Sequence, residues 1–472
     1  MQLIATLTDE QIARLQAKTT DLLATVGLKI THPELLRLCR AAGAQVDAEA
    51  GIARFPPPLL SQLLSMVPTT FDVCAMDGSR YTIGGASQFC TAIVTDPWIV
   101  DYETERPRRP RLEDVRRHTI IAQKLPQVIA ASLMDYPVAD FSGTDSSLHA
   151  MEAFALHFAK HIFVFATDLA WFQHWLRVGE ILADGRSYPA PMMSAAVATL
   201  SPLAVNDLNA EFLLLACRMG MPVVPTVCPI AGLSGPYTLA GTLLSGNCEV
   251  IGLAALTQIV RPGHPFLYAL GPSVAEMRAG GNRYYTLDKV LWKAAAVQLG
   301  RAYHMPVMAE CGGSMTYRYD QQNGAEGMLF MLAAAASGAN LLSGIGSTMN
   351  AIGMSAEMML VQTAWLESAR FLARGIVVDE ARLGVGNIAA VGPRGSFLLD
   401  DLTLRFLRRE REFFSHELLD YAGGPEATPS LLERAHERVE ELTRDGTSPY
   451  PDRVQEAIRK YFAEQYSRPT GP

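Results

Sequence analysis

The sequence predicts an α/β chain built on a closed (β/α)8 barrel of the TIM type, with an N-terminal helical and β-rich preamble and a C-terminal helical extension. Three observations predict it. From residue 128 onward, short apolar runs alternate with helical stretches at intervals of roughly thirty to forty residues, the cadence of repeated βα units. The helices between them carry start and stop signals, as in "NDLNAEFLLLACRMG" (206–220), capped by Asn206 or Asp207 and ended by Gly220. Of 472 residues, 49% are hydrophobic and only 19% charged, enough for a large core under a lightly charged surface. An open doubly wound sheet is the alternative for the same cadence.

The elements follow in chain order. Thr8 is placed as an N-cap with Gln11 at the capping-box position, ahead of Ile12, Leu15, Leu22 and Leu23 on one helical face. A second helix is expected over 32–44, and 52–103 reads as a small β-rich region punctuated by "MDGSRYTIGG". Strands are expected at 128–134, 162–168, 191–200, 222–228, 265–271, 306–313 and 339–346, with 89–96 able to close the ring as an eighth. "SAEMMLVQTAWLESARFLARGI" is an amphipathic helix, and 400–472 is charged and helical. The boundaries are 1–105 for the preamble, part of the barrel or flanking it, 106–376 for the barrel and 377–472 for the extension.

Composition excludes several classes of function. A net charge of −8, with no basic stripe on any helix, argues against a nucleic-acid partner, and the basic stretch "RPRRPRLEDVRRH" reads as a solvated loop. Seven cysteines without C-x-x-C spacing fit buried reduced thiols in the cytoplasm. The first residues lack a cationic n-region, and no uninterrupted apolar run is long enough for a bilayer, so a soluble intracellular protein is expected.

In a (β/α)8 barrel the chemistry belongs at the C-terminal ends of the strands. None of the expected strands ends in lysine, which weakens a Schiff-base reading. No H-E-x-x-H or H-x-H occurs. His157 and His161 fall at i, i+4 in an expected helix but lack an evident third ligand, so no metal is assigned. "PTVCPIAGLSGPYTLAG" has the strand, glycine loop and helix of a phosphate cradle, yet no P-loop lysine and no cation to meet the anion. What remains are isolated carboxylates and aromatic residues, which suit a cationic ligand with an apolar skin.

Several segments together resemble the trimethylamine methyltransferase family of corrinoid-dependent enzymes. They are "SPLAVND" (201–207), "AGLSGPYTLAGTLLSGNCEVIGLAALTQIVRPGHP" (231–265), "EMRAGG" (276–281), "DQQNGAEGMLFMLAAAASGANLLSGIGSTM" (320–349) and the earlier "DYETERPRRPRLEDV" (101–115). The resemblance implies a (β/α)8 barrel that transfers a methyl group from a methylated amine to the cobalt of cobalamin on a separate corrinoid protein. The chain holds only standard residues, so it looks like the non-pyrrolysine branch, whose members include glycine betaine methyltransferase and act on quaternary amines.

On that resemblance Trp98, Tyr284, Tyr285 and Tyr317 are candidates for an aromatic cage, and Arg283 or Arg278 for a substrate carboxylate. Glu310 is the counter-charge to the ammonium. Asp320 and Glu326, in the family-like D-x-x-x-G-x-E stretch, orient loops or ligand. Gly232 and Gly235 keep the barrel mouth low for the corrin ring, joined by Ser343, Gly344 and Gly346. Some family members carry a histidine in the stretch matching "NLLSGIGS", where this chain has Ser343 and Gly344, a departure that bears on substrate choice. A homo-oligomer is expected. Two other readings stand: a non-catalytic member that binds a cationic osmolyte, and a barrel lyase or isomerase that uses Glu310 as base.

Overall fold

Eight short apolar segments pair in parallel, each beside its neighbour in the chain. The computed structural model describes residues 5–92, 97–278, 280–410, 412–421 and 428–466. The strands are β1 (Phe89–Ala92), β2 (Val128–Ala131), β3 (His161–Val164), β4 (Met193–Ala198), β5 (Val223–Thr226), β6 (Tyr268–Ala269), β7 (Val307–Glu310) and β8 (Leu341–Ser343). β8 returns to β1 through Leu342 and Cys90, and Val223 of β5 bridges in parallel to Phe266 at the start of β6. This closure removes the open-sheet alternative. The segment expected to close the ring does so as the first strand, ahead of residue 106; its last residues, 93–96, lie outside the described residues.

Each strand leads into a barrel helix: α1 (Leu112–Lys124), α2 (Asp145–His157), α3 (Leu169–Ala183), α4 (Asp207–Met219), α5 (Leu239–Val260), α6 (Leu287–Ala302), α7 (Gln321–Ser337) and α8 (Ala356–Arg374). Local chemistry sets many of the ends. The side chains of Asp168, Asn206, Thr238, Asp320 and Ser355 accept backbone N–H groups that would otherwise be orphaned at the helix starts. Asn206, not Asp207, is the cap of α4, and Gly220 ends it at φ 74°.

Two expectations are corrected here. His157 and His161 do not share a helix: α2 ends at His157, and His161 opens β3, where its ring bonds Cys74 O and Ser194 Oγ. By length and composition α5 could cross a membrane, but 72% of its apolar window is buried, as befits a core helix wedged between the barrel and the preamble.

One end of the barrel is plugged. The hairpin Thr70–Cys74 with Arg80–Gly84 inserts Phe71, Val73 and Ile83 among Ile129, Phe163, Val224, Leu267 and Leu341 inside the ring. Burying these rings and branched chains stabilises the closed end by roughly 1.5–3 kcal/mol per side chain. The other end is left for chemistry.

The preamble helix Asp9–Thr25 starts at the Thr8–Gln11 capping box and packs on α5, and strand Leu28–Ile30 pairs with Ala204–Val205 after β4. In the extension, helix Leu431–Thr443 packs on α8 and α1, and Asp452–Tyr466 on α2 and α3. The basic stretch turns inward: Arg108 forms a fork of two 2.7 Å bonds to Asp114 and adds a 2.8 Å bond to Asp101.

Candidate active site

A cavity of about 300 Å³ opens at the C-terminal ends of β5 to β8. Its wall includes Phe165, Thr226, Cys228, Leu270, Gly271, Asn282, Tyr284, Tyr285, Lys293, Met308, Glu310, Ser343, Gly344, Asn350 and Ile352. Glu310 is the last residue of β7, so the pleat that buries Ala309 turns the carboxylate toward the mouth.

Two lysines from α6 meet that carboxylate. Lys289 and Lys293 are four residues apart, hence on one helical face, and both are buried. Lys293 Nζ is ion-paired with Glu310 Oε2 and donates to Leu270 O at 3.0 Å. Lys289 Nζ lies 3.2 Å from the same oxygen and 2.8 Å from the centroid of the Tyr284 ring. The Tyr284 hydroxyl donates to Glu310 Oε1.

These contacts set the charges. Burial alone would raise the Glu310 carboxyl, but the two ammonium groups hold it down at about 2. Burial pushes the Lys289 amine down to about 7, against the pull of Glu310. It pushes the Tyr284 phenol up. Its two lysine partners therefore favour the Glu310 anion, which weakens the lyase or isomerase reading that relied on it as a base.

Backbone conformation shapes the far wall. Met349, Asn350 and Ala351 have φ of 48°, 57° and 63°, three consecutive non-glycine residues in the left-handed region. Such residues cost roughly 1–3 kcal/mol each and persist only when neighbours hold them. Here Asn350 N donates to Ser314 O at 2.7 Å, and the Asn350 side chain accepts from Tyr284 N and donates to Asn282 O, both at 2.6 Å. Gly313, at φ 121°, lies where a Cβ would strike the Tyr285 ring, and a Cβ on Gly271 would come 2.9 Å from the Tyr284 hydroxyl.

Of the residues chosen from sequence, the cavity brings together Tyr284, Tyr285, Glu310, Ser343 and Gly344. The others lie outside its lining. Trp98 carries Arg109 over its ring at 4.1 Å, and Tyr317 sits beside Arg318. Arg283 is exposed and paired with Glu276, whose side chain also takes the backbone N–H of Arg278. Asp320 caps α7, accepting from Gln322 N and Asn323 N at 3.1 Å, and Glu326 holds Met315 N at 2.8 Å, so both organise the loop after β7. Gly346 N donates to Gln362 Oε1 behind the wall. Gly232 and Gly235 form a tight turn at the rim, and a Cβ on Gly232 would meet Tyr237 and Met277.

Sequence reasoning missed Lys289, Lys293 and Asn350. The expected strand ends carry no lysine, whereas Lys289 and Lys293 project from a helix. The spacing in "LDKVLWKAAA" is the available signal, since its two lysines share one face of a mostly apolar helix. Among the described residues, no three His, Cys, Asp or Glu side chains come together to hold a metal ion.

Comparison with known proteins agrees with the resemblance. The family model for trimethylamine methyltransferase (MTTB) matches residues 1–468. Trimethylamine methyltransferase MttB of Desulfitobacterium hafniense (strain DSM 10664 / DCB-2) is 24% identical over 472 residues, 98% of this chain and 94% of the relative. Glycine betaine methyltransferase of Desulfitobacterium hafniense (strain Y51) is also 24% identical, covering 98% of each chain. The solved monomethylamine methyltransferase of Methanosarcina barkeri aligns over 98% of this chain and 96% of its own at 14% identity, with a TM-score of 0.49. With its match running nearly end to end, this chain belongs to the trimethylamine methyltransferase family.

Proposed function

We propose that this methyltransferase takes a methyl group from a quaternary amine and delivers it to the Co(I) form of cobalamin on a separate corrinoid protein. The observation that carries the reading is an aromatic-walled mouth cavity whose carboxylate is paired with two lysines, a setting that can hold and orient a charged amine. As the methyl carbon accepts an electron pair from the metal, its C–N bond breaks and that bonding pair stays on nitrogen. A quaternary nitrogen then leaves as a neutral tertiary amine, and no proton has to be supplied. A neutral tertiary amine would instead expel an amide-like anion. What the protein must contribute is alignment of the N–CH₃ bond with the acceptor.

Tyr284, Tyr285 and Phe165 supply the aromatic wall, and Ser343 and Gly344 lie on the cavity lining beside them. The rim supports docking of a macromolecule, because Leu233, Tyr237 and Met277 are 74%, 64% and 63% exposed around the Gly232 turn. Self-association is supported by Ile376, at the end of the barrel segment, and Leu398, Leu399 and Phe413 on the extension, all strongly exposed. The free cysteines, all buried except Cys228, support a reducing cytoplasmic compartment.

The test is spectroscopic. Purified protein is mixed with free cob(I)alamin and glycine betaine, carnitine, choline or trimethylamine, and the Co(I) absorbance is followed. Conversion to methyl-Co(III) with a quaternary amine is expected. No conversion across the panel, with calorimetric binding retained, would leave the non-catalytic reading in its place.

A further inference from the structure

We propose that Lys289 and Lys293 receive a carboxylate of the methyl donor, so that the site selects zwitterionic quaternary amines over purely cationic ones. The inference rests on the methyltransferase reading for the word donor, and on charge arithmetic for the rest. Two ammonium groups are buried against one carboxylate, both directed at Glu310 Oε2. When both are protonated, one positive charge exceeds the single carboxylate, and Lys289 Nζ, though 3.2 Å from Glu310 Oε2, makes no well-aligned hydrogen bond among the described residues. Buried charges are stable when paired and hydrogen-bonded, so a second anion arriving at this point completes a two-plus-two arrangement.

The rest of the geometry agrees. Lys293 lines the cavity and makes the direct contact, while Lys289, 0% exposed behind the Tyr284 ring, supplies the second charge. Lys289 lies in the first turn of α6, where the helix dipole also favours an anion. The arginines expected to bind a carboxylate are elsewhere, since Arg283 is committed to Glu276. A donor with only positive charge would set a third cation beside two that are already crowded.

The same arithmetic couples binding to a proton. The titratable groups facing Lys289 are Glu310, Lys293, Cys228, Tyr284 and Tyr285. A bound carboxylate adds to Glu310 and raises the Lys289 amine, so binding at pH 8 draws in a proton from solution.

Calorimetry without any corrinoid tests this. Glycine betaine, carnitine, choline, tetramethylammonium and 3,3-dimethylbutyrate are titrated into the full chain at pH 8 in phosphate and in Tris, buffers of unlike ionisation enthalpy. We expect at least one carboxylate-bearing quaternary amine to bind tenfold or more tightly than choline, with net proton uptake. In Lys289→Met the uptake is lost. In Lys293→Gln the preference over choline falls to less than threefold, and Lys293→Arg restores it. Choline binding as tightly as every carboxylate compound, no binding by any of them, or an unchanged preference in folded Lys293→Gln overturns the proposal. Because binding is read without methyl transfer, the two readings fail separately: choline binding as tightly as every carboxylate compound would sink this inference and leave the methyltransferase reading standing. Carboxylate-selective binding with proton uptake but no transfer would do the reverse.

Discussion

Glu310 faces two ammonium groups through a single oxygen, and its other oxygen accepts from Tyr284. Glu310→Gln leaves both lysines buried without a counter-charge, so the folded state is expected to lose about 3 kcal/mol in urea unfolding at neutral pH. An unchanged midpoint would mean that these ion pairs do not form in solution. The pH dependence of the two partners runs in the same direction, in different windows. Glu310 sits near 2 in the folded chain against 4.5 ordinarily, so its stabilisation is present above about 4.5 and is lost as pH falls through about 2. Lys289 sits near 7 against 10.5, so between those values the unfolded chain holds the extra proton and stability rises with pH. Lys289→Met should therefore be more stable than the parent at pH 7, with the gap narrowing toward pH 10. A gap that stays constant over that range would show that Lys289 keeps an ordinary amine.

At the scale of elements, the loop after β7 is organised by a cap and a glycine. Asp320 accepts two backbone N–H groups at the start of α7, so Asp320→Ala should cost about 1 kcal/mol and Asp320→Asn much less, with kcat unchanged in both. A collapse of kcat in the well-folded asparagine variant would return Asp320 to the chemistry. Gly313→Ala puts a Cβ into the Tyr285 ring at a φ of 121° and is expected to cost roughly 2 kcal/mol while weakening substrate binding. Equal KM and stability would show that the Tyr285 wall is not packed as described. Much of this scale was legible in the sequence. Apolar runs located every barrel strand, because strands buried on both faces leave continuous hydrophobic stretches. Caps at Thr8 and Asn206 marked two helix starts for the same local reason, whereas Asp320, which caps α7, was read as a site residue. His161 was misread as helical because four-residue spacing says nothing about where a helix has already ended.

At the scale of the whole molecule, the hairpin plug closes one end of the barrel and directs chemistry to the other. Surface apolarity concentrates from the end of the barrel segment into the extension: Ile376 is 92% exposed, Leu399 83% and Phe413 85%. Replacing Ile376 and Phe413 together by serine should shift the sedimenting mass toward a single chain if these residues join copies of the protein. An unchanged oligomer, or a parent that is already monomeric, would remove that role. By itself the sequence determined the strand and helix cadence, the Thr8 capping box and the family, because each depends on residues close along the chain or on a long pattern of identities. Only the tertiary structure decided that two lysines from a helix converge on the carboxylate that ends a strand, that Arg283 turns away, and that residues 349–351 hold a left-handed turn over the cavity. Those outcomes depend on barrel closure and on which face of α6 is pressed inward, and both are set by long-range packing that no local pattern encodes.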